Sequence, residues 1–165
     1  MQLGLCIIVK NEANRIEACL SDIFDLFADV VIVDDGSTDG TQDLIISRFD
    51  IKPIQHETQG KQNFSLAAAR SMAFDHISTP WILTLDADER INRHHLKSLI
   101  QLKDNPGIAG YFCRWITHIQ NNETVEDYKL PLFRKGLKHA GLIHKNAQYD
   151  IRNSGLNTDW LDDFH

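Results

Sequence analysis

The chain has 165 residues, 42% of them hydrophobic and 24% charged, enough for one domain with a real core and too few for two. A formal net charge of -6 and a pI near 5.7 argue against a general nucleic-acid binder. Three cysteines, Cys6, Cys19 and Cys113, with no Cys-x-x-Cys among them, exclude a disulfide frame or zinc site and predict buried, reduced thiols in a cytoplasmic protein.

In chain order, the apolar run from Leu3 to Val9 predicts a buried strand, ended by Lys10-Asn11-Glu12. Nothing basic precedes it, so no signal peptide is expected, and no apolar run reaches membrane-spanning length. Ile16, Cys19, Leu20, Ile23, Phe24 and Phe27 recur at helical spacing, with Asn14 as an N-cap candidate and Glu17 completing a capping box. Val30 to Val33 predicts a second strand, parallel to the first through a βαβ unit. It runs into Asp34-Asp35-Gly36-Ser37-Thr38-Asp39-Gly40-Thr41, where Thr38, Asp39 and Thr41 are N-cap candidates for a helix carrying Leu44, Ile45 and Phe49 inward. Such a loop is built from ordinary turn formers. It also sets Asp35 where its carboxylate can accept from the imide N–H of a base such as uracil.

Ile51 to Gln55 predicts a short edge strand, because Pro53 cannot donate to a ladder. A helix from about Gln62 to His76 follows, rich in alanine, with Phe64, Ala67, Ala68 and Met72 along it, and its small residues would let it lie close to the sheet. Lys61 and Arg70 are candidates to meet phosphate or a nucleobase, set against the commoner reading of a solvated helix face. Trp81 to Leu85, preceded by Pro80, predicts a strand buried on both faces that ends in Asp86-Ala87-Asp88-Glu89. In extended chain, Asp86 and Asp88 point to the same side. Two carboxylates at the carboxyl end of such a strand fit a divalent cation shared with phosphate oxygens, against a plain acidic turn as the bland reading.

Ile91, His95, Leu99, Ile100 and Leu102 mark a further helix, closed by Asn105-Pro106-Gly107; His94 and His95 lie on it without an acidic partner at ligand spacing. From Gly110 the pattern alternates with aromatics and predicts antiparallel strands packed on the first half: Gly110 to Ile116, Tyr128 to Phe133, and Lys138 to Ile143. His144 follows the last of these and is a candidate further metal ligand, although a lone histidine after a strand is usually unremarkable. The tail is polar, with Trp160, Leu161 and Phe164 as anchors.

Three stretches in this order resemble one family, the inverting nucleotide-sugar glycosyltransferases of family 2, with the GT-A fold. Cys6 to Glu12 resembles their first strand, Val31 to Thr41 their base-binding loop, and Leu85 to Glu89 their metal motif. Gly60 to Asn63, Lys129 to Arg134 and Leu142 to His144 are similar to a branch that includes bacterial glucosyltransferases of lipopolysaccharide core assembly. That branch carries Glu after its histidine, where this chain has Lys145.

The resemblance implies a mostly parallel, Rossmann-like sheet flanked by helices, with a smaller antiparallel element. It implies a single domain over 1–165, with a nucleotide-sugar half at 1–105 and an acceptor-side half at 106–165. Ile7, Ile8, Asn11 and Glu12 would line the donor site with Asp35, which reads the base; Lys61, Arg70 and Asp86 complete it. Asp86, Asp88 and His144 would hold Mg²⁺ or Mn²⁺, and Asp150 is the candidate general base. The expected partners are a UDP-sugar donor and a saccharide or lipid-linked saccharide acceptor, with no nucleic acid. A lipid-linked acceptor would bring peripheral contact with the inner face of the membrane. Two rival readings stand beside this one: a nucleotidyl- or phosphotransferase using Asp34 and Asp35, and a non-catalytic nucleotide-sugar-binding module.

Overall fold

The computed structural model describes residues 1–56, 66–119, 123–137 and 155–161. The chain enters through β1, Leu3–Val9, buried along nearly its whole length. The expected continuous helix after it is shorter: α1 spans Ile16–Leu20, and a separate 3-10 turn covers Phe24–Leu26. Ser21 ends α1, its backbone N–H and its hydroxyl both turning back to the Glu17 carbonyl. The apolar residues still face the core, because the turns preserve their direction: Ile16, Cys19, Leu20 and Ile23 are buried, with Phe24 and Phe27 packed against them. Asn14 is not the N-cap. Arg15 holds that place without a side-chain cap, and the Glu12 carbonyl accepts from the N–H of both Arg15 and Ile16.

β2, Asp29–Asp34, pairs parallel with β1, as the βαβ reading requires. α2, Thr41–Phe49, begins at Gly40, whose φ of 91° is a left-handed conformation suited to glycine. The capping candidates therefore sit beside the cap position and not at it. Asp39 still accepts from the Thr41 N–H at 3.0 Å. β3 contracts to Ile54–Gln55 and lies at the sheet edge, as Pro53 requires.

α3, Leu66–His76, buries Ala69 and Ala73, while Ala68 is exposed. Met72 packs against the same cluster, and the small residues let the helix lie close to the sheet, as expected. β4, Trp81–Asp86, pairs parallel with β1 on the side away from β2. α4, Arg93–Gln101, is capped by Asn92, whose side chain accepts from the N–H of His94 and His95.

β5, Ile108–His118, and β6, Thr124–Arg134, form an antiparallel pair longer than the expected strands. Pro131 lies inside β6 where the β5–β6 register shifts, which accommodates its missing N–H. Part of the polar tail forms β7, Asn157–Trp160, a strand not among the expected ones, parallel to β5. Trp160 and Leu161 anchor it: the Trp160 ring stacks on Phe112, and Leu161 is buried. Phe164 and the predicted strand from Lys138 to Ile143 lie outside the described residues.

The second half does not pack on the first as a separate layer. β6 pairs antiparallel with β4, giving one sheet of order β3-β2-β1-β4-β6-β5-β7. One face carries α1, α2 and α4 over Leu3, Leu5, Ile7 and Val9. The other carries Ala69, Ala73 and Ile77 of α3 and its C-terminal turn over Cys6, Val31, Val33 and Ile82. The opposite placement follows from right-handed crossovers: β1 to β2 to β3 runs one way, and the step to β4 crosses back over β1. The sheet thus has a switch point between β1 and β4, the place where open α/β sheets bind ligands. The three cysteines are free and buried, and burial pushes the thiols of Cys6 and Cys113 up to about 12.

Candidate active site at the carboxyl edge

Strand register brings the predicted acids together. Val9 of β1 is opposite Asp34, and Ile8 is opposite Asp86, so the two acidic loops flank the end of β1. Two strand spacings separate Asp34 from Asp86, about 10 Å.

The loop after β2 is tied to the loop after β1. Asn11, at φ 56°, donates its N–H to Ser37 Oγ at 2.9 Å and accepts the Thr38 N–H on Oδ1 at 2.8 Å. The left-handed conformation suits asparagine better than most residues. Glu12 N–H donates to Thr41 Oγ1 at 2.8 Å, and Ala13 N–H to Asp39 at 3.1 Å. Asn11 and Glu12 are therefore clasp residues, with the Glu12 carboxylate paired to Arg15 at 3.2 Å.

Neighbouring Asp34 and Asp35 have different work. Asp34 is fully buried and accepts from the N–H and hydroxyl of Ser37 and from Gln42 Nε2 at 2.7 Å. It holds the loop. Asp35, also enclosed, accepts from Lys10 Nζ at 2.9 Å and lies 3.0 Å from His56 Nδ1. Neither Lys10 nor His56 stands among the sequence-predicted site residues. Lys10 lies within the first motif, so its position carried a signal, but His56 arrives from β3 and only the sheet order joins it to Asp35.

On the other side of β1, the strand stops at Asp86, and a turn closed by Glu89 N–H to the Asp86 carbonyl at 2.9 Å follows. Asp86 and Asp88 are therefore not two residues of extended chain, and the alternation argument for their common direction does not hold. Asp86 is half-exposed, with Arg70 Nη2 of α3 at 3.5 Å; Asp88 is exposed and has no ion-pair partner among the described residues. Glu89 braces the turn: its carboxylate accepts from the Asp86 N–H at 2.8 Å and pairs with Lys129 of β6. Burial pushes the Glu89 carboxyl up, partly offset by Lys129 and the Asp86 N–H.

A half-exposed and an exposed carboxylate in a braced turn are hard oxygen donors of the kind that suits Mg²⁺ or Mn²⁺. Among the described residues, no three His, Cys, Asp or Glu side chains form a closed metal cage. Ligand oxygens or water would complete such a shell, as Mg²⁺ sites commonly have it. Of the other predicted residues, Ile7 is fully enclosed in the core and Ile8 is half-buried on the α3 face. Lys61, His144 and Asp150 lie outside the described residues.

A switch-point sheet with an acid-bearing loop on each side of β1, continued by an antiparallel pair, defines the GT-A class of nucleotide-sugar transferase folds. The chain belongs to glycosyltransferase family 2, whose model, Glycosyl transferase family 2, matches residues 5–157. It is 35% identical over 89 residues to the SPbeta prophage-derived glycosyltransferase SunS of Bacillus subtilis, covering 54% of this chain and 20% of that protein. It is 34% identical over 94 residues to the lipopolysaccharide core biosynthesis glycosyltransferase LpsC of Rhizobium meliloti, covering 56% and 34%. The chain thus spans between a fifth and about a third of the length of these relatives.

Among solved structures, the chain resembles the mannosyltransferase PcManGT of Pyrobaculum calidifontis, in complex with GDP-Man and Mn²⁺. The TM-score is 0.70 at 19% identity, over 99% of this chain and 55% of that one. It also resembles the UDP complex of glucosyl-3-phosphoglycerate synthase of Mycobacterium tuberculosis, with a TM-score of 0.67 at 13% identity, over 97% and 70%. Such identities speak for the fold alone. No helix among the described residues is long and apolar enough to cross a membrane.

Proposed function

We propose that the chain is the donor-binding and catalytic domain of a metal-dependent, inverting glycosyltransferase. It moves a sugar from a nucleotide-diphosphate sugar, a UDP-sugar by this reading, to an acceptor hydroxyl. The observation that carries the reading is the pair of acidic loops flanking the end of β1 at the switch point. By this reading Asp35 accepts from the base, and Asp86 and Asp88 serve the diphosphate side, with Arg70 beside Asp86. The solved relatives' complexes with GDP-Man and Mn²⁺ or with UDP support this class of ligand. The single domain runs over 1–165, with the donor half at 1–105 and the acceptor half at 106–165.

Asp86 and Asp88 would hold Mg²⁺ or Mn²⁺, which supplies charge neutralisation for a leaving diphosphate. The chain's own residues do the rest. The Asn11–Ser37–Thr38 clasp fixes the base-side loop, and the Glu89–Lys129 brace fixes the turn. Arg70 offers a cation to phosphate oxygens. A carboxylate, Asp150 by this reading, takes the proton of the acceptor hydroxyl as it attacks the anomeric carbon from the face opposite the diphosphate. The relative LpsC supports a role in bacterial cell-surface polysaccharide or lipopolysaccharide assembly. A lipid-linked acceptor would bring the chain to the inner face of the membrane.

The test is a thermal-shift panel of UDP, GDP, CDP and ADP, each with Mn²⁺ and with EDTA. One nucleotide at ~100 times its Kd should add about 2.7 kcal/mol of stability, and EDTA should remove most of it. No stabilisation by any nucleotide would end the donor reading. Binding without transfer or hydrolysis of any nucleotide sugar would favour the non-catalytic module, which Lys145 in place of the branch's Glu supports.

A further inference from the structure

The Asp35 carboxylate is 0% exposed, yet it is approached on both oxygens, by Lys10 on Oδ2 and by His56 on Oδ1. An ionised carboxylate only accepts, so His56 Nδ1 carries the proton in this contact. The imidazole is 14% exposed, and the His56 backbone N–H is bonded to the Asp34 carbonyl at 2.8 Å. The ring is thus carried by the end of β3 and locked to the β2 edge. Lys10, 53% exposed, reaches in from solvent across the end of β1. One partner is built into the sheet, and the other is a half-exposed cation at the end of β1.

We propose that His56 and Lys10 are positioning residues that aim the Asp35 carboxylate, and thereby set which nucleobase the site takes. An acceptor-only carboxylate selects a base that presents a ring N–H, uracil at N3 or guanine at N1. It opposes a base that presents a bare ring nitrogen in that place, cytosine at N3 or adenine at N1, because two acceptors then face each other. Removing either partner loosens the direction in which Asp35 presents its lone pairs, which blurs the selection. The proposal rests on the donor-site reading above and adds the two residues that give that site its preference.

The experiment is isothermal titration of the full chain with UDP, GDP, CDP and ADP in the presence of Mn²⁺, for the wild type and for His56→Ala, His56→Asn and Lys10→Met. The wild type should bind the better of UDP and GDP at least roughly tenfold more tightly than CDP or ADP, the scale of a charge-assisted hydrogen bond. His56→Ala and Lys10→Met should bring that ratio close to unity. His56→Asn, whose amide N–H can occupy the place of Nδ1, should restore most of it. An undiminished ratio in both His56→Ala and Lys10→Met overturns the proposal, as does an equal loss for all four nucleotides, which is the mark of a merely structural role. A wild type that binds CDP as well as UDP and GDP overturns it directly. Lys10→Met, half in solvent, keeps the test usable should His56→Ala fail to fold. A wild type that binds none of the four defeats the donor-site reading and this pair together, whereas binding with a ratio the variants do not move defeats the pair alone.

Discussion

Asp34 and Asp35 are adjacent in sequence and opposite in use, and burial alone does not separate them. Asp34 spends its oxygens on Ser37 and Gln42, which leaves it poorly placed to act as the nucleophile of a nucleotidyl- or phosphotransferase. Asp34→Ala should lower the unfolding free energy by about 2–3 kcal/mol, because it strands buried donors, and a urea titration reads this directly. A catalytic role for Asp34 would instead show as lost chemistry at unchanged stability. Asp39 carries a pH prediction. The Thr41 hydroxyl, then the N–H groups of Ala13 and Thr41, hold its carboxyl below the ordinary 3.8, against a smaller opposing effect of desolvation. Its contribution is therefore present above the unfolded value and lost as pH falls through the folded one. Urea midpoints measured at pH 6 and pH 3 should drop less in Asp39→Asn than in the wild type.

At the scale of elements, helix α3 shows how composition and placement divide the work. Its alanines announced close approach to the sheet, and Ala69 and Ala73 do bury completely against β1 and β2. Which alanines face inward depends on where the helix is phased, and Met72 packs on that same side. Ala73→Leu should cost about 1–3 kcal/mol by overpacking, whereas Ala68→Leu on the exposed side should change the thermal midpoint little. The two melting curves check the phase. The Asp86 turn makes a similar point. Its acids were visible as a cluster, but their common direction was argued from extended chain, and the strand stops too early for that. Glu89 and Lys129 hold the turn, and Lys129 comes from β6, some forty residues on.

Across the whole molecule, the antiparallel strands are part of the sheet that carries the site. β6 closes the edge of β4 through Ile82–Phe133 and Leu83–Leu132. A fragment ending at residue 105 would leave that apolar edge open, and exposed apolar edges pair with other chains. Such a fragment should aggregate or fail to give a cooperative melt, readable by size-exclusion chromatography and circular dichroism. A soluble, cooperatively folding fragment would show that the first half stands alone.

Local pattern was enough for the strands β1, β2 and β4, for the βαβ beginning and for the acidic loops, because buried runs and their polar ends are written in consecutive residues. The break after Leu20 and the strand β7 were not legible, since each is decided by contacts with distant chain. The same holds within the site. Asn11, Asp35, Asp86 and Asp88 stand in motifs that a reader of the sequence can find. The partnership of Asp35 with His56, and that of Glu89 with Lys129, exists only because the sheet order sets β3 beside β2 and β6 beside β4. Hydrogen bonds act over about 3 Å of space, whatever the separation along the chain, so the acids were determined by the sequence and their partners by the tertiary fold.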